Sequence, residues 1–305
     1  MSGRLKRLGA FFGGTDTRWF QIAFLASFLL FGALARDFAL SLAQVAACFA
    51  SGLATQALWQ WGLRLPGRRS PGAFLSAIVT CFGICILVRA QNPWMHPLLA
   101  CLAMSSKYVL RAGPTASRSH ILNPANLAAF AAAARVGGSW LSPGQWGADN
   151  LTALWFLALG GVVTHRIARW DVSVIFLLTW AALLSARLFW LGYTWDPGAA
   201  IWLQQIRNGS TLLFAFFMIS DPMTTPQQRA VRLAYVVAVA VAAFYWQFVL
   251  FKPQGLIVAL FALSWIVPVL NALWPEVRFA WNMPRQRAPA LACRWSASGQ
   301  RQNPG

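Results

Sequence analysis

The sequence predicts an all-α polytopic membrane protein with about ten transmembrane helices. Three observations carry that expectation. The 305 residues are 58% hydrophobic and only 10% charged, where a soluble domain carries roughly a quarter charged residues. Mean hydropathy is +0.54. The apolar residues gather in runs approaching the roughly 20 residues that a helix needs to cross a bilayer. Helices are the expected form because a span must satisfy its own backbone polar groups.

Taken in order, residues 1–18 form a basic, glycine-containing tail. Apolar runs follow at about 19–35, 38–61, 73–89, 94–110, 124–135, 151–168, 172–191, 198–219, 230–250 and 255–273. Together, residues 19–273 form the expected transmembrane domain. The run at 19–35 lacks a small-residue cleavage site and reads as a span, not as a cleavable signal. The fifth run is short for a full crossing and reads as a tilted or broken helix. Residues 274–305 are polar, basic and proline-containing, and are expected to be disordered.

Ten spans put both ends on one side, and the basic residues agree. Arg4, Lys6, Arg7 and Arg18 would share a side with Arg64, Arg68, Arg69, Lys107, Arg111, Arg118, Arg166, Arg169, Arg229 and Arg232. Arg278, Arg285, Arg287, Arg294 and Arg301 join them, against Arg36, Arg89, Arg135, Arg187 and Lys252 on the other side. The positive-inside rule then places both termini in the cytoplasm, in a bacterial-type inner membrane. The net charge of +18 is therefore a topology and lipid-facing signal, and nucleic acid is not expected as a partner. Many of the 17 Trp residues fall near predicted helix ends, as an interfacial belt requires.

Five spans on each side of the loop 136–150 give repeats of about 19–135 and 151–273. An odd number per half makes the second half enter from the opposite face, an inverted repeat if the halves are related. One echo supports this. Asn92-Pro93-Trp94-Met95-His96-Pro97 follows the third span, and Asp221-Pro222-Met223-Thr224-Thr225-Pro226 follows the eighth.

Enzyme constellations are missing. With seven acidic residues, the chain offers no paired carboxylates, phosphate loop, zinc spacing or nucleophile elbow. Cys48, Cys81, Cys85 and Cys101 lie in apolar runs and read as small hydrophobes. Cys81 and Cys85 share a helix face, but no His or carboxylate is near in sequence to complete a metal site.

The polar residues inside apolar runs are the candidates for function. The stretch Gly209–Pro226, GSTLLFAFFMISDPMTTP, runs from Leu212 to Ile219 in apolar residues and breaks at Ser220-Asp221-Pro222. Proline cannot continue the helix without losing a hydrogen bond, so free backbone groups are expected there. Asp221 either caps the next helix or serves a cation, with Ser220 and Thr224 as further oxygen ligands. Arg207 either snorkels to the interface or, if the helix breaks near Asn208-Gly209, meets an anion in a cavity. In the second cluster Asn123 precedes Pro124 and can cap a helix whose N-terminus faces an electronegative ring or anion, with Asn126 on a similar face.

These two places resemble one family, which unites the RnfD component of the Rnf electron-transport complex with the NqrB component of the sodium-pumping NADH:quinone reductase. That family carries a motif of the form GxxLLxAFFMxxDPxTxP, here Gly209 to Pro226, and a lysine with a later Asn-Pro-Ala helix start, here Lys107 and Asn123-Pro124-Ala125. The resemblance covers about residues 19–273. It implies two inverted five-helix repeats, similar to urea and ammonium channels. It also implies a flavin-carrying membrane component that passes electrons and couples them to sodium or proton movement, among other membrane electron-transport subunits. Family members bear a covalent flavin mononucleotide on a threonine of a Ser/Thr-Gly-Ala-Thr motif between spans five and six. The loop here, Arg135 to Thr152, has no Gly-Ala-Thr acceptor. The expectation is accordingly a noncovalent flavin, riboflavin or flavin mononucleotide, or none. Candidate cofactor contacts are Lys107, His120 (where one branch has asparagine), Asn123, Asn126, Arg207 and Thr211. Candidate cation ligands are Asp221, Ser220 and Thr224, with Asp221 at a family position near the ion path. The alternatives are a small-solute or cation channel on the same fold, and a scaffold that docks a redox partner.

Overall fold

The computed structural model describes residues 16–36, 38–62, 72–113, 119–141, 146–277 and 279. The N-terminal tail to residue 15, the basic run Arg64-Arg68-Arg69 and nearly all of the C-terminal tail lie outside the described residues. Among the described residues the chain runs through twelve α-helices. They are α1 (Thr17–Ala35), α2 (Leu42–Ala57), α3 (Gly72–Leu87), α4 (Met95–Val109), α5 (Pro124–Ala133) and α6 (Asn150–Arg166), then α7 (Trp170–Trp190), α8 (Trp195–Arg207), α9 (Gly209–Leu213), α10 (Arg229–Phe244), α11 (Gly255–Ser264) and α12 (Val267–Leu273). Helices α2, α9 and α10 continue into π-helical turns at Leu58–Gly62, Phe214–Met218 and Tyr245–Val249.

Four of these helices, counted with their π-helical turns, are long and apolar enough to cross a membrane: Thr17–Ala35, Leu42–Gly62, Trp170–Trp190 and Arg229–Val249. The pair α11 and α12, bent by 46°, makes a fifth candidate. Helices α5 and α9 with its π turn are shorter apolar helices of about half a crossing. At 1.5 Å per residue, ten residues cover roughly 15 Å of a hydrocarbon core of about 30 Å. The chain is a multi-pass membrane protein.

The start signals are physical. Asp16 caps α1 through the Arg18 amide at 3.0 Å, so the first helix begins at Thr17, inside the stretch read as tail. Ser41 and Gln44 form a reciprocal capping box on α2. Asp149 caps α6 through Thr152, and Gln228 caps α10 through Val231. The expected eighth span at 198–219 is two helices instead. Asn208 leaves helical geometry at φ −58°, ψ 121° and its side chain caps Ser210, so α8 ends and α9 starts anew.

Two short antiparallel ribbons add to the all-α expectation. β1 (Val88–Ala90) pairs with β4 (Ser139–Leu141), and β2 (Arg111–Ala112) pairs with β3 (Ser119–His120). Both give partners to backbone groups where an apolar run has ended.

Contacts join the connections into two ends. At the basic-loop end, Arg18 donates to the Gly72 carbonyl and Arg166 lies 4.0 Å from the Phe20 ring centroid. There too, Arg169 donates to Pro226, and the Gln227 amide donates to Asn271 at 2.9 Å. At the opposite end, Arg36 pairs with Asp149, Gly209 donates to Gly147 at 3.1 Å and Arg187 donates to Phe248 at 2.8 Å. Between them the core is aromatic: Phe28 stacks on Phe156 at 4.3 Å, and buried Trp146 meets Phe28, Phe38 and Phe156 edge-on.

Helices pack by close approach of small residues, the usual device where lipid supplies no hydrophobic drive between spans. A Cβ on Gly160 would lie 2.5 Å from Phe216, and one on Gly83 would lie 2.9 Å from Ala125. Helix α2 packs on α4, α1 on α3 and α4 on α5. In the second half α7 packs on α10, α6 on α9 and α10 on α11. Helix α5 meets α11, and α1 meets α6.

Candidate functional site

The two stretches singled out in the sequence meet at the basic-loop end. Asn123 Nδ2 donates to Asp221 Oδ2 at 3.1 Å across 98 residues of sequence. Each partner is set by its own local turn. Pro124 occupies the first turn of α5, and Asn123 Oδ1 accepts the Asn126 amide at 3.2 Å. On the other side, Asp221 Oδ1 accepts the Met223 amide at 3.0 Å. Asp221 Oδ2 also accepts the Thr224 hydroxyl at 3.2 Å.

A half-buried carboxylate in a membrane bundle needs this much compensation. Three donors point at it, and one of them is the capping residue of α5. Asp221 therefore closes a tight turn onto Met223 and Thr224, while the next helix, α10, takes its cap from Gln228 and not from Asp221, as one reading of the sequence held. Asp221 also lines a cavity of about 420 Å³, within the size range of ligand sites. Lys107, His120, Asn123 and Ser220 share that lining. Lys107 Nζ donates to Ser76 Oγ at 3.0 Å, which leaves the ammonium beside the space. The β2–β3 ribbon sets Arg111 opposite His120, which explains how a loop residue reaches the wall.

The remaining sequence candidates lie elsewhere. Asn126 is buried behind the wall, where Nδ2 donates to Ile257 at 3.4 Å, so it ties α5 to α11. Thr224 stands behind Asp221 as a donor and is not part of the lining. Thr211 is buried on α9 away from the cavity. Arg207 belongs to the opposite end of the bundle, where it donates to Asn150 and to Leu203. The break at Asn208 is present, yet it turns Arg207 toward the connection 146–150 and away from the cavity. Ser220 lines the cavity, and its hydroxyl donates to Phe216. Among the described residues, no three His, Cys, Asp or Glu side chains cluster as a metal site.

The structure also brings in residues that the sequence reading did not single out as site residues. Arg18, Gln56, Gln60, Ser76, Tyr108 and Arg111 line the same space. Gln56 and Gln60 were legible in principle, as two amides four residues apart on one face of an apolar helix. The apolar wall comes from Leu25, Val79, Ile86, Leu213, Phe216 and Phe217. Phe217 meets Phe28 edge-on at 5.6 Å, so the aromatic core around Trp146 closes the cavity toward the opposite end.

The profile of the NQR2, RnfD, RnfE family matches residues 10–280, nearly the whole chain. The chain belongs to the NQR2, RnfD, RnfE family. It is 32% identical over 135 residues to the RnfD component of the ion-translocating oxidoreductase complex of Halorhodospira halophila, covering 42% of this chain and 33% of the relative. It is 26% identical over 149 residues to the protein of the same name from Stutzerimonas stutzeri, covering 48% of this chain and 38% of the relative. The matched part thus spans only 33% and 38% of the two relatives' lengths.

In this chain Thr152 is buried. Its hydroxyl donates to Asp149 Oδ2 at 2.9 Å and accepts from Arg36 at 3.0 Å. Burial works against ionisation of Asp149, but hydrogen bonds from Thr152 and Arg36 outweigh it and hold the carboxyl below its usual range. The threonine hydroxyl at this place serves a helix cap.

Proposed function

We propose that this chain is the membrane subunit of an ion-translocating electron-transport complex and that its cavity holds a noncovalent flavin. The observation that carries the reading is the Asn123–Asp221 hydrogen bond. It joins the two stretches of family resemblance at the wall of one cavity, beside Lys107. The residues present suit an isoalloxazine. Leu213, Phe216 and Phe217 give an apolar wall, and Lys107 and His120 offer positive or donor groups to the carbonyl-bearing edge of the ring. One- and two-electron transfer is the chemistry that a flavin supplies when bound. The protein's part is to exclude water from the ring's inner end, to orient it against α5 and α9, and to keep a carboxylate at the wall. Asp221 gives the cavity a negative centre for a sodium ion or proton, with Ser220 near it and Thr224 behind.

The packing supports an inverted repeat of five and five spans. The pairs α2–α4, α1–α3 and α4–α5 recur as α7–α10, α6–α9 and α10–α11. Two further contacts, α5–α11 and α1–α6, join equivalent helices of the two halves. Asn92 Oδ1 accepts the Trp94 amide at 3.0 Å, the same turn that Asp221 makes with Met223. That pairing and the basic loops support our reading of ten crossings of an inner membrane with both termini cytoplasmic. The partners are other membrane subunits of the complex.

The test is Asp221→Asn in the assembled complex. Asparagine can close the same side-chain turn as aspartate, so the protein should insert while cation-dependent turnover is lost. Unchanged cation dependence in a well-expressed variant would leave Asp221 as a turn residue alone. Solute flux through liposomes without reductant would instead favour the channel.

A further inference from the structure

The basic-loop end holds a second charged cluster, outside the cavity, where the packed helices α7 and α10 both begin. Three guanidiniums meet there. Arg229 Nε and Arg232 Nη2 both donate to Asp171 Oδ2, at 3.1 and 3.3 Å. Arg232 Nη1 donates to the Gln227 carbonyl at 2.8 Å. Arg169 donates to the Pro226 carbonyl at 3.4 Å and to Gln227 Oε1 at 3.0 Å. Among the described residues Asp171 is the carboxylate that pairs with this set. Asp221 is held instead by Asn123, Met223 and Thr224. Three cations therefore face one carboxylate.

With every one of those bonds kept, donors remain. Arg229 gives only its Nε to Asp171. Its two Nη groups meet no acceptor among the described residues, and its side chain is 68% exposed. Arg232 is buried, yet its Nε has no partner. Helix α7 has no side-chain cap, because Arg169 stands at its N-cap position and turns its guanidinium to Pro226 and Gln227. The open amides of that first turn add positive potential at the same place.

The surroundings say which anion. Trp170, 52% exposed, directly follows Arg169, and Val174 and Leu178 continue an exposed apolar stripe down α7 at helical spacing. Ala234 and Ala238 are exposed on α10. A tryptophan at this height marks the headgroup level of a bilayer. Guanidiniums above an apolar, lipid-facing stripe match a phosphate that carries acyl chains. We infer that Arg229, Arg232 and the first turn of α7 form a headgroup site for one anionic phospholipid. Its phosphate lies on the Nη groups of Arg229, and an acyl chain follows Trp170, Val174 and Leu178. The site is independent of the flavin reading. It also reaches the turn that carries Asp221, since Arg169 and Arg232 hold the carbonyl groups of Pro226 and Gln227.

The full chain, stripped of lipid in detergent, is titrated with phosphatidylglycerol and with phosphatidylcholine of the same acyl chains, and lipid-bound species are resolved by native mass spectrometry. The first phosphatidylglycerol should bind about ten- to a hundredfold more tightly than phosphatidylcholine, the scale of a charge-assisted hydrogen bond. Arg229→Gln should remove the preference, and Arg229→Lys should keep part of it. Arg229 is exposed, so both variants should fold. Lys252→Gln, the same loss of charge at an exposed position of the opposite end, should leave the preference intact. Equal affinity for the two lipids would overturn the site, and so would an equal loss in Arg229→Gln and Lys252→Gln. Inorganic phosphate that displaces phosphatidylglycerol at a comparable concentration would make this a free-anion site. Displacement by a glutamate-rich peptide would make it a protein-docking site. Either displacement overturns the lipid assignment.

Discussion

Asn123→Ser isolates the contact that joins the two motifs. Serine caps a helix about as well as asparagine, so α5 should keep its start. The substitution removes only the Nδ2 donor that reaches Asp221 at 3.1 Å. Hydrogen bonds to a charged group contribute about 1.5–3 kcal/mol, and a carboxylate that loses one of three donors in a half-buried site should lose toward the lower end. Asn123→Ala removes the cap as well, for about a further 1 kcal/mol. The series should therefore order as native, serine and alanine, with steps of roughly 2 and 1 kcal/mol. Equilibrium unfolding in mixed micelles reads this directly. The buried thiols of Cys48, Cys81 and Cys85 serve as the reporter, since they should react with a maleimide dye only on opening. A double-mutant cycle with Asp221→Asn should give a coupling near the serine step. Equal loss in Asn123→Ser with and without Asp221→Asn would refute the claim that this hydrogen bond joins the halves.

Three other outcomes follow from the same structure. Gly160→Val should destabilise by about 1–3 kcal/mol or prevent insertion, because even a Cβ would lie 2.5 Å from Phe216; thermal unfolding in detergent checks it. Asp149→Ala should cost about 1 kcal/mol through the lost cap of α6. The stability that Asp149 adds, with its carboxyl held low by Thr152 and Arg36, is present above its unfolded pKa of about 3.9 and lost as pH falls through the lower folded value; an acid series on native and variant protein should converge only there. Denatured protein should show no flavin fluorescence in a gel, and a fluorescent band that vanished in Thr152→Ala would contradict the noncovalent reading.

Much of the arrangement was legible because membrane burial leaves few polar residues to choose from. Asp221, Lys107 and Asn123 stood out as costly groups in apolar surroundings, and the structure brings all three to one cavity. Ser220 and His120 join them. Asn126, Thr211 and Arg207 were selected on sequence neighbourhood, and the fold takes each elsewhere. Asn126 fails because one helical step turns it toward α11. Arg207 lies elsewhere because the chain leaves helical geometry one residue later, at Asn208, the break the sequence offered, and its guanidinium meets Asn150 at the opposite end. The roles of Gln56 and Arg111 depend on which helices pair. Spacing along one chain does not carry that, and neither does the ribbon that sets Arg111 opposite His120.

The absorption spectrum of the purified full chain tests the central claim most directly. The account predicts flavin bands that travel with the native protein and are released into the supernatant on acid precipitation, with Asn123→Ser weakening retention. A colourless protein that also fails to take up added flavin would contradict it.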